Sequence, residues 1–203
     1  MNDELDILKE VGSISAAQAS KALSEILGRK INLSIPVIDV ISYTNVAKKV
    51  KIDRVVIAVY SQIIVGLPGE LALILSEKDA FKLLNLSYKI KEEDKGAGVF
   101  TEIGLSLMKE IGNIIICSYV VALSLILKKH ILTSIPTLIN GTSDVILNAI
   151  FATTSEENYA VLVEAAFEEP QEKIKGGFCL ALTHDAVVDI KRICKKMLED
   201  LEK

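Results

Sequence analysis

Ser106, Glu110 and Asn113 stand at i, i+4 and i+7 of a stretch reading LSLMKEIGN, so on a helix all three share one face. That face carries a carboxylate beside a carboxamide, a group that donates and accepts hydrogen bonds without titrating. An apolar, nearly uncharged run from Ile111 to Leu127 follows directly. Two readings are open. The trio can be the wet face of an otherwise buried helix, with Glu110 solvated and Asn113 satisfied by backbone, because buried polar groups usually just find partners. It can also be a reactive face.

The stretch occurs twice, which weighs against the first reading. One hundred residues earlier the chain reads LDILKEVGS, from Leu5 to Ser13, and both copies lead on to Ser-Ile-Pro, at Ser34-Ile35-Pro36 and Ser134-Ile135-Pro136. The acid recurs as Glu10. Gly12 recurs as Gly112, although glycine costs about 1 kcal/mol inside a helix relative to alanine. A glycine beside a polar group suits close approach by another surface. The copies differ where it matters, since the first has Asp6 and Ser13 where the second has Ser106 and Asn113.

The elements that must position these residues follow the same repeat. Apolar positions from Leu5 to Leu27 have a helical period, and Gly28 supplies the stop. Residues 30–42 read as a strand with Pro36 at an edge or irregular position. A helical turn is expected over 44–49. Residues 54–65 form a long or bulged strand, Gly66-Leu67-Pro68-Gly69 a turn, and 70–75 the return strand of a hairpin. Ser76 caps a helix to about Leu86. The second half predicts a helix over 99–129, a strand over 131–139 and a helix from the N-cap Thr142 to Ile150. A hairpin of 159–167 with 177–182 follows, and then a terminal helix capped by Thr183.

Each half has too few strands to bury a helix as apolar as 111–127 alone. The expected fold is therefore α/β (α+β) with a pseudo-two-fold internal repeat, a mixed or antiparallel shared sheet and two long motif-bearing helices. The expected organisation is one domain, 1–203, built from repeats 1–87 and 99–203 joined by the charged, glycine-rich connection 88–98.

Composition narrows the function. With 203 residues the chain can bury roughly 70% of its unfolded surface. A net charge of −4 without a basic stripe argues against nucleic acid as a partner. Cys117, Cys179 and Cys194 are scattered and lack a CxxC pair, which speaks against a disulfide framework or a zinc site. The acidic start MNDELDILKE is unlike a signal peptide, so a cytoplasmic protein is expected. Residues 111–127 only reach the lower length limit of a spanning helix, and their polar counterpart at 11–27 favours a buried helix over membrane insertion.

The pattern Asp or Ser, three residues, Glu, two residues, Asn, twenty-two residues, Pro resembles the signature of the CheC/CheX/FliY family of phosphatases. These act on the phosphorylated chemotaxis response regulator CheY. The second copy matches it as Ser106, Glu110, Asn113 and Pro136, and the first as Asp6, Glu10, Ser13 and Pro36, with serine where the pattern has asparagine. The resemblance covers essentially the whole chain.

It implies hydrolysis of an aspartyl phosphate on a CheY-like receiver, with Asn113 orienting the attacking water and Glu110 pairing with the receiver's lysine. Ser106 and Pro136 would support that geometry. The chain would need no cofactor of its own, because the receiver brings Mg2+ and the lysine. The first site would be degenerate, since the short Ser13 hydroxyl places water poorly. Partners implied are the phosphorylated receiver and a CheD-like receptor deamidase. The competing function is a non-catalytic adaptor that binds either of these.

Other motifs carry less. His130 and Thr183-His184-Asp185 have no ligand spacing. Gly66-Leu67-Pro68-Gly69 lacks the GK[ST] ending of a phosphate loop, and Gly176-Gly177 reads as a turn. Glu164, Glu168, Glu169 and Glu172 read as a solvated strand end.

Overall fold

The computed structural model describes residues 2–42, 55–87, 101–151, 159–169 and 172–201. The expected helical turn at 44–49 and the connection 88–98 lie outside the described residues, as do the side chains of the Glu164–Glu172 cluster.

In chain order the elements are α1 (Asn2–Leu27), β1 (Asn32–Ser42), β2 (Val55–Val65), β3 (Gly69–Ser76), α2 (Glu77–Ser87), α3 (Glu102–Leu127), β4 (Leu132–Thr133), β5 (Thr137–Thr142), α4 (Ser143–Phe151), β6 (Tyr159–Glu169), β7 (Glu172–Leu182) and α5 (His184–Leu201). Two caps are those the sequence signals: Asp79 N–H donates to Ser76 Oγ (3.0 Å) and Ala186 N–H to Thr183 Oγ1 (3.3 Å). The cap of α3 is Thr101, which lies inside the helix expected over 99–129; its Oγ1 accepts from Gly104 N–H (3.1 Å). The two long helices stop alike, with positive φ at Gly28 (62°) and at Lys128 (50°). This is the left-handed C-terminal cap that satisfies the last carbonyls.

Among the described residues the sheet is seven-stranded, in the order β1-β6-β7-β3-β2-β4, with β5 also pairing β2. Every recorded pairing is antiparallel. In terms of the repeats, the first strand of each half pairs with the second strand of the other, and the two third strands, β3 and β7, meet at the centre. The halves are thus interleaved in one sheet around a pseudo-two-fold axis. This is the shared sheet expected from the repeat, with antiparallel pairing throughout.

One face of the sheet carries α1, α2, α3 and α5 over a core that includes Leu23, Leu71, Leu73, Leu83, Met108, Ile111, Leu123 and Leu180. The other face is covered by α4, where Ile146, Leu147 and Ile150 pack on Val56, Ala58, Ile74 and Ala181. The helix α3 is long and apolar enough to cross a membrane, but half of its most apolar window is buried inside the protein. It lies against α1, β2, β3 and β5.

The strand expected over 131–139 is interrupted. Thr133 pairs with Ile63 and Thr137 with Tyr60, so four steps on one strand oppose three on the other. The first copy repeats this register slip, with Leu33 opposite Phe167 and Val37 opposite Glu164. The cause is local. A proline in each slip has no N–H to give the ladder, which confines it to edges and bulges. Ser134 holds the second bulge: its N–H donates to the Gln62 carbonyl (2.8 Å), and its Oγ accepts from Gln62 N–H (3.0 Å). Ser61 Oγ–H donates to the Ser134 carbonyl (2.7 Å).

Candidate active site

A helix facing a sheet buries one side and leaves the other wet, and α3 divides its residues accordingly. Gly104, Met108, Ile111, Gly112, Ile115 and Ile116 are buried, whereas Ser106 and Glu110 are exposed and Asn113 is partly exposed. The three polar residues occupy one solvent-facing side of the helix, as their spacing requires.

The twenty-two-residue gap to Pro136 has a geometric reason. From Asn113 to the end of α3 the chain climbs about 21 Å at 1.5 Å per residue. The strand after it descends at roughly 3.3 Å per residue, returning the bulge at Pro136 toward the level of Asn113. Pro136 is partly exposed there, and Ile135 beside it is 83% exposed. In the first copy Glu10 and Ser13 are both exposed on α1, while the side chains of Asp6 and Pro36 lie outside the described part.

The glycines are explained by packing. A Cβ added at Gly112 would overlap the Val59 side chain, Cβ included. The surface that comes close is therefore the chain's own strand β2, and Gly112 sets how near α3 lies to the sheet. Gly12 is buried as well.

Sequence reasoning passed over Cys117, one turn beyond Asn113. It is exposed, on the same side of α3, and its Sγ–H donates to Asn113 Oδ1 (3.3 Å). The spacing of i+4 from Asn113 was the available signal; the apolar letters around the cysteine hid it. Partial burial pushes its thiol pKa up, and the nearby Glu110 carboxylate adds to the shift. A raised thiol pKa leaves less thiolate at neutral pH, and the thiolate is the nucleophile. Alkylation of Cys117 is therefore expected to be slower than that of an unperturbed thiol near pH 8. Glu110→Gln should speed it by removing the Coulombic part of the shift. Equal rates before and after the substitution, followed by mass spectrometry, would separate Glu110 from this site.

The remaining candidates stay apart from this face. His130 and His184 are exposed, and Thr183 is the N-cap of α5. Among the described residues no three His, Cys, Asp or Glu side chains converge as a metal site would need. Gly66 takes φ 98° in the β2–β3 turn, where Lys129 Nζ donates to its carbonyl (2.9 Å) and also pairs with Asp189 (2.7 Å). That turn is a structural junction. On the other face of the sheet Tyr60 is hydrogen-bonded to the buried Glu70, and burial together with that carboxylate pushes its phenol pKa up to about 12.

Comparison with known proteins finds relatives for the first copy of the motif and for the fold. The CheC-like family model matches residues 4–39, the segment that holds α1 and the first bulge. The CheY-P phosphatase CheC of Bacillus subtilis (strain 168) is 23% identical over 193 residues, spanning 91% of this chain and 90% of its own length. This chain is similar to that protein over most of its length. The crystal structure of Thermotoga maritima FliY superimposes with a TM-score of 0.76 at 25% identity, over 97% of this chain and 98% of the other. The FliM middle domain from H. pylori reaches a TM-score of 0.67 at 12% identity, over 97% and 99% of the two chains, and so shares the fold. The same sheet and helix pair thus occur in proteins of more than one name.

Proposed function

We propose that this chain is a phosphatase for the aspartyl phosphate of a CheY-like receiver, acting through Asn113 and Glu110. The observation that carries the reading is the complete Ser106, Glu110 and Asn113 set, held on a solvent-facing side of a helix whose opposite side is fixed in the core. Similarity to a relative named CheY-P phosphatase supplies the substrate class.

In this reaction a water oxygen attacks phosphorus in line with the departing bond. The new P–O bond forms as the bond to the aspartate oxygen breaks, leaving inorganic phosphate and a free carboxylate. The receiver brings its own Mg2+ and lysine, so this chain contributes position and electrostatics. Asn113 can accept a hydrogen bond from water through its carboxamide oxygen and donate one through its nitrogen, at any physiological pH. Cys117 occupies one lone pair of Oδ1 and restrains the rotation of the amide. Glu110, one turn earlier, would pair with the receiver's lysine, and Ser106 and the Pro136 bulge would support the geometry around them.

The deciding experiment is phosphate release from a phosphorylated receiver with and without this protein. Faster release is the expected result. Binding to the receiver without faster release would instead identify an adaptor. A CheD-like deamidase is the further partner this family reading offers, to be tested by co-purification.

The first copy should contribute little. Ser13 ends one bond past Cβ and cannot span the distance that the Asn113 carboxamide does. Glu10→Ala is expected to leave the rate within about twofold, because positioning, worth about 100-fold or more at a working site, is already lost there. A tenfold loss from Glu10→Ala would show that the first site works without its carboxamide. Ser13→Asn should raise activity rather than lower it.

A further inference from the structure

The polar trio uses only part of the exposed side of α3. At about 100° per residue, Cys117, Val121 and Leu125 continue the line of Glu110 and Asn113 toward the C-terminal end, and Ile103 continues it toward the N-terminal end. All of them fall within about a third of the helix circumference. Val121 is 46% exposed, Leu125 64% and Ile103 60%. Single exposed aliphatics need no explanation, but a row of them continuous with a polar site marks an interaction surface.

The other copy shows that the scaffold does not require this row. At the matching positions α1 carries Lys21 and Glu25, both exposed, and Ala17 in place of Cys117. The exposed aliphatic near that end of α1, Ile26, lies roughly 160° round the helix from Glu10. The same helix and sheet are thus built with charges at these positions. The apolar row accompanies the copy that kept its asparagine.

We infer that Val121 and Leu125 form the apolar docking strip for the receiver whose phosphorylated aspartate meets Asn113. This rests on the phosphatase reading above for the identity of the partner. The dimensions fit. Asn113 to Leu125 spans about 18 Å and Ile103 to Leu125 about 33 Å, close to the diameter of a small domain. A receiver of that diameter centred over Asn113 therefore extends about 16 Å along α3, past Val121 at about 12 Å and to the margin of Leu125. Contacts remote from the reacting atoms hold the substrate, while the groups beside the phosphate act in the transition state. The strip should accordingly govern KM, and Asn113 should govern kcat.

The test uses the full chain and a purified CheY-like receiver phosphorylated by acetyl phosphate. The combined substitution Val121→Lys with Leu125→Glu places on α3 the charges that α1 carries. It is expected to raise KM about tenfold with kcat within about twofold. The milder pair Val121→Ala with Leu125→Ala should give a smaller rise of the same kind, and keeps the test open if the charged pair impairs folding, as judged by circular dichroism. Lys21→Ala with Glu25→Ala on α1 should change neither constant. An unchanged KM in both α3 variants would overturn the inference.

Loss of the phosphatase reading can be told apart from loss of the strip. If the natural chain does not accelerate phosphate release, that reading fails, and titration with the beryllofluoride-activated receiver decides the strip. Binding weakened about tenfold by the α3 variants supports it; equal binding, or no binding by the natural chain, overturns it. A variant that dissolves a dimer in light scattering, or that abolishes binding to phosphatidylglycerol vesicles, with receiver KM unchanged, would assign the row to a second copy or to lipid and overturn it too.

Discussion

Replacing Asn113 with alanine is expected to lower receiver dephosphorylation about 100-fold or more while leaving the fold intact. The side chain is partly exposed, on the opposite side of α3 from the buried Ile111 and Met108, so its removal opens no cavity. What is lost is the carboxamide that would hold water in line with the phosphoryl bond. The loss should appear in kcat, with KM little changed, because an interaction made mainly in the transition state leaves ground-state binding alone. Asn113→Asp is the informative companion. It keeps the size but adds a negative charge beside a phosphoryl group and removes the donor, so it should be at least as damaging as alanine. Unfolding curves that coincide with the natural chain, together with a rate that does not fall, would remove Asn113 from the chemistry.

The helices and the first hairpin were legible because each is written locally, whereas the second hairpin was legible only in part: Gly176 and Gly177, which read as a turn, lie inside β7 opposite Ala165 and Glu164. Helical spacing from Leu5 to Leu27, Gly28 at the stop, and Ser76 and Thr183 at the caps are nearest-neighbour signals, and the structure uses each of them. The exchange of strands between the halves was not legible. It depends on which β-rich segment pairs with which across the chain, as when β1 finds β6 and β5 finds β2, and spacing does not encode that. The bulges were half legible: Pro36 and Pro136 announced an irregularity, but the clasp of Ser134 on Gln62 and Ser61 is a contact across more than 70 residues. At the site, the positions of Ser106, Glu110 and Asn113 on one side of α3 followed from their spacing alone. Cys117, Val121 and Leu125 obey the same spacing. They were absorbed into the apolar run because from Ile114 to Leu127 the exposed side of α3 is uncharged and mostly apolar, like the buried one.

The second large effect is expected at Gly112, where sequence and structure give opposite signs. Considered as a helix position, Gly112→Ala should stabilise the protein by up to about 1 kcal/mol. Packing reverses this. The new methyl would overlap the Cβ of Val59, which no change of rotamer can move, along with both Cγ atoms. Either α3 lifts off β2 or β2 bends, and such overpacking costs about 1–3 kcal/mol or more in a close-packed core. The net outcome should be a destabilisation of about 1–2 kcal/mol, a fall in Tm of roughly 2–8 °C for a chain of this size. Val59→Ala in the same chain should relieve only part of it, since the Cβ remains, and a double-mutant cycle would report coupling between the two sites. Asn113 is the next residue, so a lifted helix also displaces the carboxamide, and kcat should fall more than the lost stability explains. A Gly112→Ala protein that melted higher than the natural chain would mean that α3 does not approach the sheet so closely, and the placement of Asn113 would then need another support.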